Sequence, residues 1–158
     1  MFVVFLMGIV VLVQCKHGRK YPEGTVAVET QVELPEGTAV EVDELDVLAG
    51  AYDLQNVSSD GSAKIHVKED ATQLISAITP DSVPILMNVV INPSEDFELA
   101  LNTHTTAISL VFLHPAIVQS DPTLASTVKN IIASLPEINE LETLIEDKIK
   151  SNPNALAS

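Results

Sequence analysis

Four histidines, one cysteine and 22 carboxylates are the reactive inventory of this 158-residue chain. Asp43, Glu44 and Asp46 fall within one short stretch, and Glu95, Asp96 and Glu98 form a second group beside Asn92-Pro93-Ser94. Carboxylates this dense could gather a hard cation. Calcium, however, takes six to eight oxygen ligands, and neither group has the spacing of an EF-hand loop. Each cluster therefore reads first as a solvated acidic face, with a weak calcium site as its alternative use. His66 alternates with Ile65 and Val67, which puts it on the solvent side of a strand. His104 and His114 bracket an apolar stretch and would share a metal only if the chain doubled back. No G-x-S-x-G, P-loop, G-x-G-x-x-G, H-E-x-x-H or C-x-x-C is present. Glycoside hydrolysis needs carboxylates facing each other across a cleft, and sugar binding favours aromatic platforms. The chain has no Trp, two Tyr and four Phe. The expectation is a non-enzymatic protein with no catalytic residue and no cofactor.

Cys15 belongs to a different chemistry. It follows MFVVFLMGIVVLV at residues 1–13, and no charge appears before Lys16. A 13-residue helix covers about 20 Å, short of a ~30 Å hydrocarbon core. That length suits the apolar region of a signal peptide. The string Leu12-Val13-Gln14-Cys15 resembles a bacterial lipobox, which implies cleavage before Cys15 and lipidation of its thiol. A cleaved signal without lipid and an uncleaved anchor are the alternatives. All three make the protein exported, and the lipid or an anchor would hold it at the cell surface or in the periplasm, with the membrane as its partner.

The formal net charge is −14. Lys16, Arg19 and Lys20 are three of the eight basic residues, so from Tyr21 onward five basic residues stand against 22 acidic ones, a net −17. Such a body repels phosphate backbones and offers no basic stripe, which excludes nucleic acid as a partner.

Turn residues and periodicity supply the elements that would position these groups. Residues 16–24, KHGRKYPEG, read as a linker. Val26, Val28, Thr30, Val32 and Leu34 alternate with polar neighbours, as a half-buried strand does. A second extended run is expected over Val40–Leu48, with a bulge near Glu44, and a third over Gly50–Gln55. Asp60-Gly61 is a hairpin signal. Further strands are expected at Ala63–Val67, 73–78, 84–91 and 97–101. From Thr103 the period changes. TTAISLVFL at 105–113 predicts a buried helix ending at His114-Pro115, with Thr103 as N-cap. Asp121-Pro122 predicts the cap and first turn of a second helix. Ser134-Leu135-Pro136-Glu137 predicts a capping box opening a third.

The order of these features resembles the N-terminal region of certain bacterial surface lipoproteins. Its strands, with NVSSDGSAKIHV, QLISAITP and PILMNVVI, are similar to carboxypeptidase-regulatory-like or transthyretin-like sandwiches. The resemblance implies an anchoring or presentation module. The expected fold is mainly β: an Ig-like or transthyretin-like sandwich of six to seven strands over 25–102. A helical unit at 103–150 packs on it and a tail follows at 151–158. Leu110, Phe112, Leu124, Ile131, Leu141 and Ile145 are expected to face the sandwich. The expected function is a tethered surface module, with calcium-assisted glycan or peptide binding as the alternative.

Overall fold

The structure is a computed structural model that describes residues 21–94, 97–118 and 124–157. Strand β1 (Thr25–Val32) buries Val26, Val28, Thr30 and Val32 on one face, as its alternation predicts. It pairs antiparallel with β4 (Ser62–Lys68), from Thr25 opposite Lys68 to Gln31 opposite Ser62, and parallel with the short β7 (Leu99–Leu101). The second sheet contains β2 (Asp46–Ala49), β3 (Asp53–Asn56), β5 (Thr72–Ile78) and β6 (Pro84–Ile91), in the order β3-β2-β5-β6. Among the described residues, seven strands in two sheets, β4-β1-β7 and β3-β2-β5-β6, bury one continuous core of Val, Leu and Ile.

Three of the expectations for the strand region change. The third run, expected over Gly50–Gln55, starts only at Asp53, because Gly50-Ala51-Tyr52 form the turn after β2. Residues 42–44 form a 3-10 turn, not an extended run, and pairing starts only at Asp46. Here Glu41 and Glu44 cap one another in a box, with Glu41 N donating to Glu44 Oε2 at 3.2 Å, and the turn drops Leu45 into the core. The Asp60-Gly61 turn forms, with Gly61 N donating to Ser58 O at 2.8 Å, but it is not a hairpin: it carries the chain from one sheet to the other. The reason is competition. The three-residue turn Gly50-Ala51-Tyr52 already pairs β3 with β2, and β1 takes the ladder of β4. Gly61 has φ +84°, and a Cβ there would lie 2.5 Å from both Gln31 Nε2 and Val32 O, so only glycine fits.

Four helices follow among the described residues: α1 (Thr103–Phe112), α2 (Pro115–Val118), α3 (Ala125–Ala133) and α4 (Glu137–Ser151). Helix α1 packs on β6, α3 and α4, so the helical unit rests on the sandwich through α1. Its N-cap is Asn102 rather than Thr103: Asn102 Oδ1 accepts from Thr105 N at 2.9 Å. The expected Asp121-Pro122 cap lies outside the described residues. The capping box at Ser134 does not form, because the Ser134 hydroxyl donates to Ile131 O at 2.7 Å and closes α3 instead. Phe112 and Ile145 are buried and Leu141 half-buried, but Leu110, Leu124 and Ile131 are exposed, contrary to expectation. Residues beyond 150 are not a free tail throughout: a 3-10 turn at Ala155–Ala157 lies against β6. No helix among the described residues is long and apolar enough to cross a membrane.

Candidate functional site

Polar side chains bridge the two sheets of the sandwich on both of its sides. Asp53 starts β3 and is fully buried. A buried carboxylate needs donors, because desolvation alone is costly. Asp53 Oδ2 accepts from the backbone N of His66 at 2.6 Å and lies 3.2 Å from His66 Nδ1, and Asp53 Oδ1 accepts from Gln55 Nε2 at 2.5 Å. The side chain of β3 thereby satisfies an N–H of β4 in the opposite sheet. His66 is not simply a solvated strand residue. Its ring stacks on Tyr21 with centroids 3.5 Å apart and planes 16° from parallel, and its side chain is only 26% exposed. Gln55 Nε2 also reaches the Tyr21 hydroxyl at 3.4 Å. Tyr21, His66, Asp53 and Gln55 thus fasten the lead-in segment to the joint between the sheets. Chemically this is a carboxylate–imidazole pair under an aromatic lid, an arrangement that orients and holds.

At the opposite side Asn88 Nδ2 of β6 donates to Ala100 O of β7 at 2.9 Å. Helix α1 then covers the free edge of β6. Thr106 Oγ1 accepts from Met87 N and Ser109 Oγ from Val89 N, each at 2.9 Å. Both hydroxyls donate back to their own helix, to Asn102 O and Thr105 O at 2.7 Å. Lys129 of α3 completes the edge by donating to Val89 O and to Asn88 Oδ1, the latter at 2.9 Å. Burial pulls the Lys129 ammonium below the ordinary lysine value.

Among the described residues, the carboxylates weighed as weak cation ligands do not gather into a metal site. Asp43 and Glu44 lie in the 3-10 turn, with Glu44 engaged in its cap. Asp46 accepts from Asn56 Nδ2 at 2.6 Å, and Glu98 is exposed just before β7. Glu95 and Asp96 lie outside the described residues, as does Cys15. No group of three His, Cys, Asp or Glu side chains able to hold a metal occurs among the described residues. His104 and His114 lie at opposite ends of α1. His104 Nδ1 is 2.8 Å from Glu142 Oε2, and His114 Nδ1 accepts from Ala116 N at 3.3 Å.

An open groove of about 520 Å³ lies between the β1–β2 loop and the Asp60-Gly61 turn, with Leu34, Pro35, Val40, Glu41 and Asp60 in its walls. Ser62 donates to Asp60 through its hydroxyl and backbone N, at 2.7 and 3.0 Å, and holds that carboxyl below its usual value. Among known proteins, the chain matches no family model, no curated protein and no solved structure.

Proposed function

We propose that this chain is a non-enzymatic exported module, held at a membrane by its N-terminal segment and presenting a rigid sandwich of the Ig-like or transthyretin-like kind. The observation that carries the reading is the fastening of Tyr21. An apolar run at 1–13 and the cysteine at position 15 precede a short polar segment. The first described residue after it is stacked on His66 and bound to the joint between the two sheets. A tether entering there transmits its load to both sheets, not to a fraying strand end. Asp53, Gln55, His66 and Asn88 spend their side chains on closing the sandwich, which suits a scaffold.

The test is labelling with a palmitate analogue in a bacterial host that expresses the full chain. Incorporation that disappears in Cys15→Ala supports a lipid tether. Label retained in that variant removes lipidation at Cys15. The broader reading fails if the wild-type chain fractionates with soluble cytosol and keeps residues 1–15.

A further inference from the structure

Strand β1 is held along its length from both sides. Glu69 N donates to Gly24 O at 3.0 Å just before the strand begins, the ladder with β4 runs from Thr25 to Gln31, and Val32 N donates to Gly61 O at 2.8 Å where the strand ends. On the other side β7 pairs with it in parallel, Thr30 with Leu99, Gln31 with Ala100 and Val32 with Leu101, and Glu33 N donates to Leu101 O at 2.9 Å. The parallel sense decides how tension acts. A pull on the lead-in at Tyr21 enters β1 at Thr25. A pull from the helical side enters β7 at Leu101, just before α1, and Leu101 lies beside Val32 at the far end of β1. The two pulls therefore run in opposite directions along neighbouring parallel strands.

We propose that β1 and β7 form a shear clamp, which makes the sandwich a load-bearing link between the N-terminal tether and a load carried on the helical unit. The proposal rests on the tethered reading for the pull at Tyr21. In shear, the backbone bonds of a ladder share the load and must break together. A pull across a ladder breaks them one pair at a time. Slippage is blocked as well. Successive residues of a strand face opposite ways, so moving β1 by one residue drives Glu29 and Gln31 into the core in place of Val28, Thr30 and Val32. Rupture under force is set by the rate of crossing that barrier and not by equilibrium stability, so the direction of pull matters more than the melting point.

Pulling single full-length chains in two directions tests it. Cys15→Ser chains carry Glu23→Cys together with either His104→Cys or Glu69→Cys as attachment points, all at exposed or half-buried positions. The 23–104 pair loads β1 against β7 in shear. The 23–69 pair peels β1 from β4, because the paired ends of those strands lie side by side there. The 23–104 chain is expected to rupture at several times the force of the 23–69 chain, in one step that lengthens it by about 25 nm, the extended length of the released segment less its folded span. Equal or lower force in the 23–104 direction would overturn the clamp. So would a shorter first step, because β7 would then be detaching alone. Both measurements use purified chain in detergent, so a failed clamp leaves the tether standing, and a chain that takes no palmitate label leaves the clamp's strength as measured.

Discussion

Lys129 is a cation with only neutral oxygens for partners, and that has a pH signature. Burial holds its folded value below the ordinary one. Between the two values the unfolded chain binds a proton that the folded chain has lost, so stability rises with pH through that window, which closes near about 10.4. Tyr52, whose phenol burial pushes up, titrates in the same range with the opposite sign. The difference between wild type and Lys129→Met isolates the lysine. At neutral pH the variant should lose roughly 1–3 kcal/mol, because Val89 O and Asn88 Oδ1 lose their donor. The gap measured by urea unfolding should widen as pH is raised toward that limit, and a gap that stays constant would show that Lys129 keeps its proton on folding. Sequence reasoning had placed His66 correctly on its strand. It missed the partners because Asp53 is distant in sequence and on another sheet, and because two carboxylate clusters drew attention away from a lone aspartate. Nothing in the local pattern distinguishes Asp53 from the exposed Asp43.

At the scale of elements, periodicity located β1, β4, β5 and β6 closely, since their buried residues alternate or run continuously and the turns between them carry Pro, Asp, Asn or Gly. Partner choice was not legible. The Asp60-Gly61 signal is local and reports a turn, whereas pairing is decided by which ladder is already filled. The run PILMNVVI reads as a strand buried on both faces, yet β6 ends its sheet. Helix α1 resolves the contradiction by supplying hydroxyls in place of a neighbouring strand. Thr106→Val keeps the shape and removes the acceptor for Met87 N. It should cost roughly 1–3 kcal/mol, and Ser109→Ala a similar amount at Val89 N. Hydrogen exchange at those two amides should accelerate first in the corresponding variant, and unchanged protection would mean that the hydroxyls are incidental.

For the whole molecule, the sandwich and the helical unit share one core: Ala107, Ile108, Phe112, Ile138, Ile145 and Ile149 belong to the same buried cluster as the strand residues. Sequence reasoning reached that conclusion from the shortness of the helices, though it assigned Leu124 and Ile131 to the core because helical spacing cannot say which of two apolar faces is covered. A fragment of residues 21–102 loses α1 and with it the cover of β6. It should aggregate or unfold without cooperativity, as followed by circular dichroism and light scattering, and a soluble fragment with the full chain's melting profile would make the helices an appendage. The cover on β6 also has a consequence in time. Ribosomes deliver the strand about 20 residues before Thr106 and Ser109. During that interval the chain carries an apolar strand, with Asp81 the sole charge between Ala71 and Ser94, whose edge has no partner. A nascent chain passing through this stage can add to any extended neighbour. If the protein is exported, secretion in an unfolded state and folding only after the C-terminal helices have crossed would remove the hazard, so the order of synthesis and translocation bears on whether the nascent chain aggregates.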